Sequence, residues 1–303
     1  MSNFYFNQIS IYLINTDNLP NFETIDEKLA KAQFQPCTGL EWSSIGFTNP
    51  VEFTSDMVFP AQNTIRIALK KEEKVLPSTV INDLLKEKIN LIREVEGRKV
   101  GRKEKQELKD TITDDLLPRA FTKSNNTDAI IDTKRDYLLI NQATTSRAEI
   151  VLTKLREALG GVEAKLPRTK QSPGSLMTEW LLRGDAAGHF ELDCDCELVG
   201  LGDNAPVVRI KHHDLTAEEI TKLLHSGKVV TQLGLSWNDR VRFVLTDNFT
   251  LKRIQFLDII QEEASGQADD DQSLAYASQI LMAEALGELL DELVSYLGGW
   301  VLN

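Results

Sequence analysis

The chain has 303 residues, of which 42% are hydrophobic and 26% charged, and its formal net charge is −12. That is the composition of a globular protein, long enough for two or three domains, with no run of about 18 apolar residues to span a membrane. The opening Met1-Ser2-Asn3-Phe4 lacks a basic stretch leading into an apolar core, and three cysteines, Cys37, Cys194 and Cys196, make no disulfide framework, so a reducing cytoplasm is the expected compartment.

Residues 3–14 place Ile9, Ile11 and Leu13 on one face, the period of a strand. Phe22, Ile25, Leu29 and Ala32 follow at helical spacing. Residues 38–62 alternate Gly and Pro with Trp42, Phe47, Phe53 and Phe59, read as short strands and loops whose aromatics are buried. A strand at 64–70 ends in Lys70 and Lys71. Pro77-Ser78-Thr79 then opens a helix with Ile81, Leu84, Leu85, Ile89, Ile92 and Val95 in one stripe. After Gly97 and Gly101 a thinner stripe, Leu108, Ile112 and Leu116, runs to Pro118. Two such helices pack as a hairpin that projects from a sheet.

Residues 127–141 read as a β-hairpin turning at Thr133-Lys134-Arg135-Asp136. A helix with Ala148, Val151, Leu152, Leu155 and Leu159 then ends at Gly160-Gly161. Residues 164–174 look like a linker. The second half is read as a helix at 176–183, strands near 189–192 and 206–210, and a helix starting at Leu215-Thr216. There Thr216 and Glu219 are expected to form a capping box, with Leu215 stapled onto Ile220. A strand follows at 229–237, then a hairpin at 240–256 turning on Asp247-Asn248. A polar segment at 263–273 contains Asp269-Asp270-Asp271, and a last helix carries Ala277, Leu281, Ala285, Leu289, Leu293 and Leu297. Strand, helix, hairpin and helix recur faintly from Ile65 and from Val207, which suggests two related halves.

Charge is unevenly spread. Residues 254–303 contain ten acidic residues and no basic one, so 34 basic residues face 36 acidic ones in residues 1–253. Binding follows the local field rather than the sum. The densest positive block lies at 98–109, with Arg98, Lys99, Arg102, Lys103, Lys105 and Lys109 against Glu104 and Glu107. It reads either as a solvated helix face laced by ion pairs or as a phosphate-binding surface.

Other constellations are weaker. Arg209, Lys211, His212, His213 and Asp214 precede a helix start. With His189, Cys194 and Cys196 nearby they suggest zinc, but Cys-x-Cys without a second spaced pair is a poor signal, and no metal or other cofactor is assigned. Three adjacent aspartates suit a solvated linker better than a magnesium site. No phosphate loop, GxGxxG, GxSxG or HExxH occurs, which argues against an enzyme.

The stretches KKEEKVLPSTVI (70–81), LLPRAFTK (116–123), LMTEWLLRG (176–184), DLTAEEI (214–220), GKVVTQLGLSW (227–237) and LKRIQF (251–256) resemble, in order and spacing, the bacterial recombination-associated RdgC family. The resemblance implies a ring-shaped homodimer that binds double-stranded DNA, and also single strands, without sequence preference. It implies restraint of the RecA recombinase in recombination and fork repair, and a nucleoid-associated place in the cytoplasm. The fold expected is α+β, an arch-shaped subunit of two sheet-containing lobes with an inserted helical hairpin. Residues 1–75 and 118–165 would form an N-terminal/central lobe, 76–117 the projecting tip, and 166–303 a C-terminal base.

On that footing the DNA contacts are assigned to Lys71, Lys74, Arg98, Lys99, Arg102, Lys103, Lys105, Arg119, Arg209, Lys211, Lys228, Lys252 and Arg253. Dimer contacts are assigned to Phe121, His212 and His213. Taken without the resemblance, Phe121 is either buried at the helix exit or an exposed anchor. The reading from another class is an acidic protein–protein adaptor without DNA contact; a metal-dependent nuclease is a third.

Overall fold

The computed structural model describes residues 4–200, 202, 204–266, 268 and 270–301. In chain order the elements are β1 (Ile9–Ile14), α1 (Phe22–Lys31), β2 (Ser43–Thr48), β3 (Val58–Ala61), β4 (Thr64–Val75), α2 (Ser78–Glu96), α3 (Arg102–Leu116), β5 (Phe121–Asp132), β6 (Tyr137–Ile140), α4 (Thr145–Leu159) and β7 (Ala164–Lys165). They continue with α5 (Pro173–Arg183), β8 (Phe190–Val199), β9 (Val207–Ile210), α6 (Glu218–His225), β10 (Val229–Trp237), β11 (Val241–Thr246), β12 (Thr250–Phe256), α7 (Asp258–Gly266) and α8 (Asp271–Tyr296). The fold is α+β, and no described helix is long and apolar enough to cross a membrane.

The strands join in one open antiparallel sheet of order β2-β4-β5-β6-β1-β12-β11-β10-β8-β9, with β3 on β4 and β7 on β1. The two halves meet where Ile9 pairs with Leu251 and Ser10 with Thr250. The order is mirrored about that seam: an outer strand, a long strand, a hairpin and a seam strand on each side. The position of β4 is taken by β8, not by the β9 segment that the sequence repeat aligns with it, because β8 lies between β9 and β10.

Side chains alternate along each strand, so one strand can serve two cores. In β1, Ile9 and Ile11 face a core shared with α5, α6 and α8, whereas Tyr12 and Ile14 face a core shared with α1 and α4. Helix α8 spans both halves of the first face. Its buried Met282, Leu286, Leu289, Leu290 and Leu293 pack there, and the fully buried Gln279 donates from Nε2 to Thr64 Oγ1 at 2.9 Å and Phe59 O at 3.2 Å. Further along, Arg135 of the β5–β6 turn bonds Glu284 at 3.0 Å and Asp291 at 2.9 Å, and Trp237 Nε1 donates to Glu292 at 2.8 Å. A Cβ on Gly287 would lie 2.5 Å from the Arg135 guanidinium carbon, so the glycine lets that side chain cross the helix.

Strands β4 and β5 pair from Thr64↔Asp132 out to Val75↔Phe121. The α2–α3 hairpin leaves from their far end. It has its own small core of Ile81, Leu85 and Ile112, with Leu76, Leu84, Ile89, Leu108 and Leu116 packed around it.

Some local expectations are corrected. Phe47 and Phe59 are buried, but Trp42 and Phe53 are 48% and 40% exposed. The first strand of the second half runs on to Val199 and contains both Cys194 and Cys196. Residues 164–165 form a short strand rather than linker. The capping box at 216–219 is absent: Asp214 captures the N–H of Thr216 at 2.9 Å and its hydroxyl at 2.6 Å, and α6 starts at Glu218, although Leu215 and Ile220 are both buried as a staple would require. The polar segment at 263–273 includes the end of α7. Asp270 caps α8 in a box with Ser273, and Asp269 lies outside the described residues.

Candidate nucleic-acid interface

The face of the sheet opposite α8 is covered unevenly. Helices α1 and α4 pack on it in the N-terminal half, whereas the buried side chains of α5, α6 and α8 all belong to the other side. Alternation therefore leaves the C-terminal half of this face to two neighbouring rows: Arg209, Glu197 and Gln232 pair across β9, β8 and β10, and Gly234, Val244 and Lys252 pair across β10, β11 and β12. A concavity here is lined by Arg209, Lys211, Lys252 and Arg253 together with Asp195, Glu197 and Gln232.

The sheet builds this concavity through a bulge. Leu233 pairs with Cys196 and Leu235 with Leu192, so Asp193, Cys194 and Asp195 all face Gly234. A Cβ on Gly234 would stand 3.1 Å from the Asp195 carbonyl oxygen, so the extra residues need the missing side chain. On β12, Arg253 takes φ +51° and throws its side chain toward the bulge, where it bonds Asp195 at 2.8 Å. Burial alone would raise the Asp195 carboxyl; the His212 N–H and the Arg253 guanidinium outweigh it and hold it below its ordinary range. Arg209 bonds Glu197 at 2.6 Å and, with Gln232 and Thr231, lowers that carboxyl too. Among the described residues no carboxylate pairs with Lys211 or Lys252.

The same face continues across the seam. A second concavity joins Asn7 and Gln8, just before β1, to Lys71 and Glu73 of β4, Lys123, Asn125 and Asn126 of β5, Gln142, and Arg147 on the first turn of α4. Continuing the β1–β12 register by two residues from Ser10↔Thr250 sets Gln8 beside Lys252. Lys71 pairs with Glu73, whose carboxyl is lowered first by that hydrogen bond and charge and then by Arg147 and Lys123. The two concavities thus form one polar track, rich in amides and cations, along a single sheet face.

The structure sorts the sequence-assigned residues. Arg209, Lys211, Lys252 and Arg253 come together, and Lys71 lies on the same face. Lys74 does not reach it: the side chain is buried, with Nζ on Gly39 O at 2.6 Å. Lys228, just before β10, turns to Ser226 Oγ at 2.8 Å. Arg98, Lys99, Arg102, Lys103 and Lys105 sit at the hairpin tip. Arg98 is held between Glu96 at 2.5 Å and Glu104 at 2.6 Å, and Lys103 lies 3.9 Å from Glu107. Arg119 is exposed in the turn after α3, and Phe121 is 86% exposed. His213 pairs with Glu219 at 3.3 Å, and His212 lies against the bulge. Lys123, Arg147, Asn125 and Asn126 do not stand out in the sequence. Strand register brings the β5 residues to this face, and the packing of α4 brings Arg147; a sequence displays neither.

A family model described as "Putative exonuclease, RdgC" matches residues 4–300. The chain belongs to the RdgC family. A relative from Neisseria meningitidis serogroup C is 59% identical over 296 residues, covering 98% of this chain and 99% of its own. One from Laribacter hongkongensis is 45% identical over 296 residues, covering 97% and 98%, and one from Pseudomonas aeruginosa is 37% identical over 298 residues, covering 97% of each. All three are named recombination-associated protein RdgC. The family description thus speaks of an exonuclease while these RdgC relatives carry a name that states no catalysis.

Proposed function

We propose that the protein binds duplex DNA without sequence preference, as a homodimeric ring in which the polar sheet face lines the opening, and that in this way it restrains a RecA-type recombinase during recombination and fork repair. The observation that carries this reading is the gathering of Lys71, Lys123, Arg147, Arg209, Lys211, Lys252 and Arg253, far apart in the chain, in two concavities on one side of the sheet. Phosphate contacts fix position and affinity but carry no base information, and a protein that encloses DNA needs no other kind. Membership of a family whose relatives are named for recombination supports the reading, as does the 86% exposure of Phe121 at the root of the hairpin, which leaves its ring free for contact with a second copy. The action is binding, not cleavage, in the cytoplasm at the nucleoid.

Fluorescence anisotropy on unrelated duplexes and on single strands, in EDTA and again with magnesium, tests it. The expected result is similar affinity for every duplex, intact DNA in both buffers, and a fall of ~10³ or more between about 50 and 200 mM salt if six phosphates are neutralised. Strong preference for one duplex, or no binding, overturns it, the latter in favour of an acidic protein–protein adaptor. Shortening of DNA ends with magnesium favours the exonuclease description.

A further inference from the structure

We propose that Cys194, Asp195 and His212 form a binding site for one zinc-class divalent ion. The ligand atoms of these three residues all lie within 4.8 Å of one another. The Cys194 sulfur is 4.0 Å from His212 Nδ1 and 3.9 Å from Asp195 Oδ1. Zinc holds sulfur at about 2.3 Å and nitrogen or oxygen at about 2.0–2.2 Å, so neighbouring ligands around a tetrahedral ion stand roughly 3.3–3.6 Å apart. Small side-chain rotations close the difference.

The backbone prepares the arrangement from two directions. In a regular strand Cys194 and Asp195 would point to opposite faces. The bulge opposite Gly234 removes that alternation and gathers them. From the other side, the chain leaving β9 is pinned to the bulge: His213 N–H donates to Cys194 O at 3.1 Å, and His212 N–H to Asp195 Oδ1 at 3.1 Å. His212 itself takes φ +53°, uncommon for a residue with a side chain, within the turn that these bonds tie to the bulge. Arg253 holds the other carboxylate oxygen, Oδ2, at 2.8 Å and so aims Oδ1 at the sulfur, the part an outer partner plays around a metal.

Sulfur, imidazole and a single carboxylate are a zinc or cobalt donor set, not a magnesium or calcium one. Thiolate and carboxylate together neutralise the dication, and three protein ligands leave a fourth position for water or an anionic oxygen. On binding, the thiol proton goes to solvent. The ion must compete with that proton, so its affinity falls as pH falls. The sequence hid the site by pairing Cys194 with Cys196, which is 5% exposed in the core, and by separating His212 from both. Such a site does not depend on whether the protein binds DNA.

Cobalt titration of the purified, chelator-treated chain reads the site directly. Expected are one equivalent of cobalt, a thiolate-to-cobalt charge-transfer band, and displacement by zinc. The band is lost in Cys194→Ser, persists in Cys37→Ser, and shifts to at least tenfold higher cobalt in His212→Ala. Arg253→Gln, which touches only the ligand's partner, weakens binding about 10- to 100-fold. His212 is exposed, so its variant folds even where a change in β8 does not, and at the same zinc concentration the melting temperature of the wild type rises more than that of the variant. Absence of the band at saturating cobalt, its survival in Cys194→Ser, or unchanged affinity in His212→Ala overturns the proposal.

Discussion

The tip of the α2–α3 hairpin and the open face of the sheet both present cations, and they hold them in opposite ways. At the tip the positive residues are neighbours in sequence, and acids on the same turns take part of their charge: Arg98 is bracketed by Glu96 and Glu104, and Glu107 lies near Lys103. On the sheet face the cations come from β4, β5, β9, β12 and the first turn of α4, and the register of the strands, not the order of the chain, brings them together. A dense run of charge in a sequence tends to solve its own electrostatics locally, with exposed pairs worth a few tenths of a kcal/mol each. On a surface assembled from distant segments the two cases mix: Lys71, Arg209 and Arg253 meet Glu73, Glu197 and Asp195, whereas among the described residues Lys211 and Lys252 pair with no carboxylate.

The largest expected effect separates the bodies that carry the two surfaces. Ending the chain after Arg253 removes the end of β12 with the buried Ile254 and Phe256, and also α7 and α8, whose side chains seal one face of both sheet halves; no cooperative thermal transition should remain by circular dichroism. Replacing residues 76–117 by a short loop removes only the hairpin and its separate core, and a cooperative transition should persist. A cooperatively melting truncation would show α8 to be dispensable.

Next comes DNA. Changing Lys71, Lys123, Lys211 and Lys252 to Gln is expected to lower duplex affinity by about two orders of magnitude and to reduce the salt slope by about 3–4, near 0.9 for each phosphate no longer neutralised. The same change at Lys99, Arg102, Lys103 and Lys105 is expected to alter the slope by about 1 or less. The reverse ranking would move the interface to the tip.

Phe121→Ala is expected to weaken self-association about thirtyfold, the effect of removing an aromatic anchor worth about 2 kcal/mol. Its melting temperature should stay unchanged, because the ring is 86% exposed. Arg119→Ala should weaken DNA binding without changing assembly. Sedimentation velocity and melting of both variants decide; a sharply destabilised Phe121→Ala that still dimerises normally would place the ring in the core.

The smallest effect concerns acid. Arg135 first, and Lys134 after it, hold Glu284 down at about 2. A depressed carboxyl contributes stability above its unfolded pKa of about 4.3 and loses it as pH falls through the folded value. Wild-type stability should therefore decline between about pH 4.3 and 2, and Glu284→Gln should be less stable at pH 7 with a shallower acid decline. Parallel acid profiles in urea would refute the link.

The elements with a strong period were legible in the sequence: β1, α2, α4, β10 and the β11–β12 hairpin all lie close to where their patterns put them. Family membership was legible from six spaced stretches. What the sequence did not display depends on pairing. The bulge in β8 needs two strands to be recognised, so Cys194 and His212 looked like parts of a scattered metal signal with His189, Cys196, His213 and Asp214, and Asp195 did not stand out. Lys74 belongs to a basic run and yet is buried, because its ammonium finds the carbonyl of Gly39. Trp42 and Phe53 lie in the same Gly- and Pro-rich stretch as Phe47 and Phe59, but only the latter two are buried in a core cluster.

The seam between β1 and β12 also governs how the molecule is made. The first strand of the chain pairs with β6, and its other edge, met by β7 only at Leu13 and Ile14, waits at Ile9 and Ser10 for a strand synthesised more than two hundred residues later. On the ribosome the N-terminal half can form its ladder and its α1–α4 layer early, but it must then carry an open, apolar strand edge until β12 emerges, and an uncovered sheet face until α8 does. Non-local closure of this kind is slow, and exposed edges are where half-made chains associate. Production of the protein is therefore expected to be limited by that last closure, and slower synthesis to lengthen the time the edge stands open.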